Sequence, residues 1–407
     1  MPPAPAGGMS ARAAEVARPL RILMVVESSG GGTGRHVLDL CDGLLQRGHQ
    51  VHLIYSTGRI DKLFTARLAE IQGLSSHPLS MHTSVHAADL GATHRIRRYM
   101  REHGPFDIVH GHSSKGGALT RLAVLGTPAA AIYTLHGLIM MDPTLNRVKR
   151  LFYLSIEMLL SLRTARIIAV SPEEARAAVK LRFGHARVVL VPNGVGLPRL
   201  TPRADARRDI GVPEDAHVIG FVGRLVEQKA PHVLIESFAA TARVAPNARL
   251  AIVGDGPLRE PMRQLSARLG VEDKVLFLGE RDAREVMAAF DVFALSSRKE
   301  GLPYVLLEAM AAGLPLVATA TSSVEILIQP GRNGEVVPMD DIAGFTRALI
   351  ALATDPSRMH AYGKGSLELA ATFTIDAMVE RTLAAYAEVA HGARSRPSVR
   401  ILKAGMR

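Results

Sequence analysis

Short runs of apolar residues, rich in Val, Ile and Leu, alternate along this chain with longer stretches whose apolar positions recur every three or four residues. In the first half the runs are RILMVVE, HQVHLIYS, DIVHGH, AAIYTLHG, RIIAVS and RVVLVPNG, with helical patterns such as HVLDLCDGLLQRG between them. That order predicts parallel strands joined by crossover helices. Beyond Asn193 and Gly194 the segment GLPRLTPRADARRD, rich in Pro and Arg, reads as a linker, and the alternation restarts with HVIGFVGR, LAIVGDG, VLFLG, DVFALSS and PLVAT. These runs are nearly continuous in apolar residues, as strands covered on both faces are. The pattern predicts an α/β protein of two doubly wound, Rossmann-like domains, 20–196 and 215–373, facing a central cleft and joined by a linker over 197–214. Residues 1–19 read as a disordered N-terminal tail, 374–390 as a helix that can pack back on the N-terminal domain, and 391–407 as a basic tail.

Composition agrees with this picture. The 407 residues are too many for one ordinary hydrophobic core, and 47% hydrophobic with 21% charged residues excludes a mostly disordered, collagenous or coiled-coil chain. The single cysteine, Cys41, cannot form an intrachain disulfide, which fits a reducing, cytoplasmic setting. Leu20 to Val26 reads as a strand rather than a signal-peptide core. Leu122 to Met141 lacks Asp, Glu, Lys and Arg, but Gly126, Pro128, Thr134, His136 and Gly137 argue against a spanning helix. A net charge of +11 suits an anionic partner: a nucleotide diphosphate, a lipid phosphate or nucleic acid. With 4% aromatic residues, no Trp and no binding motif, nucleic acid is not expected.

Ligands of open parallel sheets sit outside the carboxyl ends of the strands, so candidate chemistry lies in the residues after each run. Gly30 to Gly34 follow the first strand and precede a helix expected from about Arg35 to Gly48, where backbone N–H groups and the helix dipole can face an anion. The dinucleotide register fails, because Val37 stands where the third glycine belongs and VHLIYSTG offers no acidic residue. A tight turn without ligand is the other reading of these glycines. Arg224 ends HVIGFVGR and Lys229 follows five residues later, just before Pro231. Two fixed cations there can neutralise charge growing on a departing diphosphate, or simply lie solvated in a loop. In RKEGLPYVLLEAMAAGLP, Glu300 lies after a strand and Glu308 on the next helix, so both carboxylates can meet hydroxyls of one ligand. His110 and His112 end one strand and His136 another; strand-tip imidazoles serve as ligand contacts or structural groups, and no metal is expected without an H-E-x-x-H pattern.

Together these residues resemble the retaining GT-B glycosyltransferases of family 4, the glycosyl transferases group 1, from about Leu20 to Tyr386. GGGTGRHVLDLCDGLLQRGHQV is similar to that family's glycine loop and first helix, GFVGRLVEQKAPHVLIESF to its diphosphate-binding segment, and Glu300 with Glu308 to its paired glutamates. AVSPEEARAAV, VPNGV and IVGDGP fall where the family has similar runs. The resemblance implies a GT-B fold with an acceptor-side first domain and a second domain that binds a UDP- or GDP-linked sugar, with no cofactor and no metal. Arg224 and Lys229 would hold the diphosphate, Glu300 the sugar hydroxyls and Glu308 the ribose. His136 would line the reaction centre. Gly31, Gly32, Gly223, Gly301 and Leu302 would complete the donor site, with Gly279 and Arg281 near the base. Ser322, Ser323 and Val324 before Glu325 depart from the family's usual two glycines and proline.

HGHSSKGGALTRLA with YTLHG is similar to the capsule and exopolysaccharide subgroup, which builds on polyprenyl-diphosphate carriers in bacteria; this implies an acceptor side formed by His112, Ser113, Ser114 and Lys115. NRVKRLFYLSIEMLLSLRTAR reads either as a core helix with snorkelling arginines or as a peripheral contact with an anionic membrane. The implied reaction is hexosyl transfer with retention of configuration, by front-face attack in which the leaving phosphate accepts the acceptor proton. A nucleotide-sugar epimerase and an inactive nucleotide-sugar or polysaccharide binder share this architecture.

Overall fold

The computed structural model describes residues 18–141, 145–180, 187–196, 201–321 and 323–390. The N-terminal tail up to residue 17, the basic tail 391–407 and Ser322 lie outside them. The first domain holds a seven-stranded sheet of β1 (Arg21–Val26), β2 (Gln50–Tyr55), β3 (Ser75–Pro78), β4 (Ile108–His112), β5 (Ala130–Thr134), β6 (Arg166–Ala169) and β7 (Arg187–Leu190). All pairs are parallel and the order is β3-β2-β1-β4-β5-β6-β7. The second holds six parallel strands, β8 (His217–Val222), β9 (Ala248–Val253), β10 (Val275–Gly279), β11 (Val292–Leu295), β12 (Leu316–Thr319) and β13 (Gly334–Val337), in the order β10-β9-β8-β11-β12-β13. Both are doubly wound, and each reverses strand order beside its first strand, where such sheets open a crevice.

Side chains alternate across the strands as the pleat requires. Ile22, Met24 and Val26 face one core with Val37, Leu40 and Leu44 of the Gly31–Gln46 helix, while Leu23 and Val25 face the opposite core with Ile96 and Leu119. Cys41 is buried in the first of these. The second sheet is covered on both faces by a single larger core.

The expected linker is shorter than 197–214. Residues Arg203–Ile210 form a helix whose Ala206 and Ile210, one turn apart, join the second core with Val212. Arg207 on the same helix is buried and donates to Asp291, whose carboxylate also accepts the Val218 N–H. At the other end, the helix Ile375–Ala390 returns to the first domain and buries Met378, Val379 and Tyr386 in its core. Each such side chain contributes about 1.5–3 kcal/mol, so this helix is an integral part of that domain. Gly43 is required at the crossing, because a Cβ there would stand 2.5 Å from Val379 Cγ2. The two passages of the chain between domains run side by side, with the Val195 N–H donating to the Phe373 carbonyl at 2.7 Å.

Candidate active site

The expected donor side lies at the carboxyl ends of β8 and β11. Gly223 N–H donates to Val253 O and Leu225 N–H to Asp255 O, which lays the segment carrying Arg224 over the Gly254–Gly256 loop. A Cβ on Gly254 would stand 2.1 Å from the Gly223 carbonyl oxygen, so only glycine allows this stacking. Arg224 is exposed, and its guanidinium makes no hydrogen bond or ion pair with the described residues. Lys229 ends the short turn Glu227–Lys229 and meets Glu300, with Nζ to Oε1 at 2.6 Å. Both loops are cross-tied: Arg298 N–H donates to Gln228 O, the Gln228 amide to Lys299 O, and the Ser296 hydroxyl to the carbonyls of Lys229 and Ala230. Lys229 and Glu300 are thus held on rigid backbone.

Glu308 lies on the Tyr304–Ala311 helix, buried, and accepts from Arg35 of the Gly31–Gln46 helix across the cleft. The Arg35 guanidinium also lies over the Tyr304 ring, 4.7 Å from its centre. Gly32 touches the same ring from above: a Cβ there would come within 3.2 Å of Tyr304 Cδ2. Gly31, with φ +64°, donates its N–H to Asp61 Oδ2 at 2.7 Å. The anion at this helix start is therefore the chain's own carboxylate. Burial raises Asp39, one turn beyond Arg35, to about 6.

Four histidines gather beside the glycine helix. His136 follows β5 with φ +49°, a left-handed backbone that a non-glycine residue adopts only when its surroundings impose it. Glu174, buried, imposes it here by accepting the Gly137 and Val170 N–H groups, and burial lifts its carboxyl to about 7. His136 Nε2 lies 3.2 Å from His112 Nδ1, and the His36 ring packs edge-on against His136 with centroids 4.6 Å apart. Asn193 accepts from His36 Nδ1 at 3.0 Å and donates to the Leu302 carbonyl of the second domain, which leaves His36 Nε2 as an acceptor. His110 is enclosed between the Tyr386 hydroxyl and Thr134. Burial holds all four neutral: His36 falls to about 4 and His110, His112 and His136 well below the ordinary imidazole range. His36, His112 and His136 bring ligand nitrogens within 4.8 Å of one another, and a transition metal, if bound, would be held there.

Residues 202–368 match the family described as glycosyl transferases group 1, and residues 30–199 match glycosyltransferase family 4. The UDP-Gal:alpha-D-GlcNAc-diphosphoundecaprenol alpha-1,3-galactosyltransferase of Escherichia coli is 31% identical over 61% of this chain and 67% of its own length. The D-inositol 3-phosphate glycosyltransferase of Kribbella flavida is 32% identical over 70% of this chain and 72% of its own. This chain belongs to the family 4 glycosyltransferases. The fold agrees with that of Anabaena HepE solved in complex with UDP, at a TM-score of 0.77 and 21% identity, covering 91% of this chain and 100% of that one.

Within this family 4 glycosyltransferase, Lys229, Glu300, Gly223 and Arg224 share one loop pair, and His112 and His136 share one edge of the opposite domain. Gly301 faces open space. Other expected residues sit differently. The Leu302 side chain is in the second core, and its carbonyl is what faces the first domain. Arg281, expected beside the base, forms an ion pair with Asp209 of the Arg203–Ile210 helix, while Gly279 packs against Gly254 through a backbone hydrogen bond. Lys115 is buried, donating to the Ser84 carbonyl and to Asp89, so its charge is spent on holding that loop. Ser113 has φ +61° and a buried hydroxyl without a partner among the described residues, and Ser114 follows it half-buried. Glu325 reaches Arg176 of the first domain at 2.9 Å.

Sequence reasoning missed Glu27, Arg35, His36 and Asn193. Glu27 is a carboxylate buried at the end of β1, accepting from Thr83 and 3.5 Å from Arg59. A glutamate closing the run RILMVVE was its signal; Arg35 and Asn193 depend on contacts between the domains, and His36 on distant segments of its own domain.

Proposed function

We propose that the protein transfers a hexose from a UDP-linked donor to a hydroxyl of a glycan or polyprenyl-diphosphate-linked acceptor, with retained anomeric configuration and without a metal ion. The observation that carries this reading is the Lys229–Glu300 pair, held at 2.6 Å beside Arg224, whose guanidinium is unpaired among the described residues, at the strand ends that face the first domain. Arg224 and Lys229 bind the diphosphate and oppose the charge that grows on it. Glu300, oriented by Lys229, accepts from sugar hydroxyls, and Glu308 accepts from the ribose once Arg35 yields. His136 and His112, neutral and rigid, offer hydrogen bonds at the sugar without adding charge.

The bond from the anomeric carbon to the diphosphate oxygen breaks as the acceptor oxygen attacks from the same face. The acceptor proton passes to the leaving phosphate oxygen, and UDP departs. The Escherichia coli relative, a galactosyltransferase named for a UDP-Gal donor and a GlcNAc-diphosphoundecaprenol acceptor, and the UDP complex of HepE support this choice of substrates. Such an acceptor fits assembly of an exopolysaccharide, capsule or O-antigen at the cytoplasmic face of a bacterial membrane. No described helix is long and apolar enough to cross a membrane, so contact with it would be peripheral. The experiment is a reaction of purified protein with UDP-hexoses and a lipid-diphosphate-linked sugar, read by NMR of the new anomeric centre. Acceptor-dependent UDP release with an α-linked product from an α-linked donor is expected. An inverted product, or sugar isomerisation without transfer, overturns it.

A further inference from the structure

The helix Arg147–Ser161 is turned the wrong way out for a protein surrounded only by water. Its buried positions are Glu157, Leu160 and Ser161, while Val148, Leu151, Phe152, Met158 and Leu159, with Leu162 just beyond, are between 50% and 77% exposed. At 3.6 residues per turn these six fall within an arc of about 120° and extend for about 21 Å along the helix. They form a continuous apolar ridge, not scattered surface residues.

The orientation is set by a buried charge pair. Arg121, fully buried, donates to both carboxylate oxygens of Glu157 at 2.7 and 3.1 Å, donates from Nε to the Gly117 carbonyl, and lies over the Tyr133 ring. Releasing Glu157 would leave Arg121 buried and unpaired, a cost of several kcal/mol. The polar anchor therefore keeps the apolar ridge outward.

The exposed charges of the helix have one sign. Arg147, Lys149, Arg150 and Arg163 are exposed along it, and Glu157, the only acidic residue between Leu145 and Thr164, is consumed by Arg121. Beside the ridge, a cavity of about 410 Å³ is lined by Arg147, Arg150 and Lys180 together with apolar side chains such as Met140 and Leu154. Met140 is four residues beyond His136, so this surface adjoins the reaction loop in sequence.

We propose that the Arg147–Ser161 helix and this cavity dock the protein on an anionic lipid bilayer, the ridge entering the acyl boundary and the flanking cations meeting lipid phosphates. Cations along an apolar stripe match an acidic membrane surface. A second copy of the chain would instead set four like charges against four, and an acidic protein partner would not need six exposed apolar side chains.

The test is co-sedimentation of the full chain with vesicles of phosphatidylcholine alone and of phosphatidylcholine with phosphatidylglycerol, with no sugar acceptor present. Binding to the anionic vesicles is expected at least about tenfold above the neutral ones, falling as salt rises. Two surface variants, Leu151→Gln with Leu159→Gln and Arg147→Gln with Lys149→Gln, should each weaken it at least about tenfold while the shift in melting temperature caused by UDP is unchanged. Equal binding to neutral vesicles, no binding to either, or variants that bind like the parent would overturn the proposal. So would a concentration-dependent dimer, seen by sedimentation equilibrium, that the leucine variant abolishes. Because the vesicles carry no acceptor, failure here is separate from failure of the proposed glycosyl transfer.

Discussion

Arg35 of the first domain and Glu308 of the second are joined by a direct hydrogen-bonded ion pair across the cleft, although 273 residues separate them. The carboxylate proposed to meet the ribose is thus already neutralised by a cation from the opposite wall. Asn193 to Leu302 and Arg176 to Glu325 add two further ties between the same faces. Replacing Arg35 by Ala is expected to loosen closure and to increase the radius of gyration of the nucleotide-free protein in small-angle scattering. An unchanged scattering profile would show that Arg35 does not hold the domains together.

The Lys229–Glu300 pair and the unpaired Arg224 respond differently to truncation. Lys229→Ala and Arg224→Ala should each lower kcat by about 100- to 1000-fold through loss of a fixed cation at the leaving group. Lys229→Ala also removes the ion pair that Lys229 makes with Glu300, which is 8% exposed, and should destabilise the fold by about 1–3 kcal/mol. Arg224→Ala, at an exposed position, should change stability by less than about 0.5 kcal/mol. Thermal melts beside steady-state kinetics separate the two, and near-normal turnover in either variant would remove that residue from the donor site.

Glu174 predicts a positioning effect. Its carboxylate accepts two backbone N–H groups, one from Gly137 next to the strained His136. Glu174→Ala should cost about 1–3 kcal/mol and lower kcat, because the His136 loop loses the contact that maintains its conformation. Loss of stability with unchanged kcat would limit Glu174 to a structural role.

Acid should destabilise the protein through its histidines. His36, His110, His112 and His136 have folded values below 6.5, so their contribution is fully present above that pH and is lost as pH falls toward the folded values. Each proton taken up only on unfolding costs up to about 1.4 kcal/mol per pH unit. Glu174 and Asp39, raised by burial to about 7 and about 6, act oppositely: their contribution is present at low pH and lost as pH rises through those values. Four groups outweigh two, so the melting temperature should fall between about pH 6 and pH 4.5. A flat or rising melting temperature there would mean that the histidines are not buried as a neutral cluster.

Most of the fold was legible because buried parallel strands must be apolar on both faces. Ser75–Pro78 and Gly334–Val337 escaped for that reason: the first is an exposed polar edge, and the second is four residues containing Gly and Glu. RADARRDI reads as linker until Ala206 and Ile210 are seen to meet the second core. In the site, Lys229 and Glu300 could be named because each follows a strand that the pattern predicts. Arg35 and Asn193 could not, since what recruits them is the approach of two domains, and His36 could not, since its partners His112, His136 and Asn193 come from distant segments of its own domain; a linear pattern carries no record of either distance. Lys115 misled for the converse reason: a lysine at a strand tip looks free until Asp89, 26 residues upstream, is found beside it.

The most direct test of the donor site is calorimetric titration of UDP into the protein with a metal chelator present. Binding that persists in chelator, and that weakens at least about tenfold in both Arg224→Ala and Lys229→Ala, is the predicted result. No binding by folded protein, binding only after a divalent metal is added, or binding by either variant as tight as by the parent would contradict the assignment of a metal-free diphosphate site to these two cations.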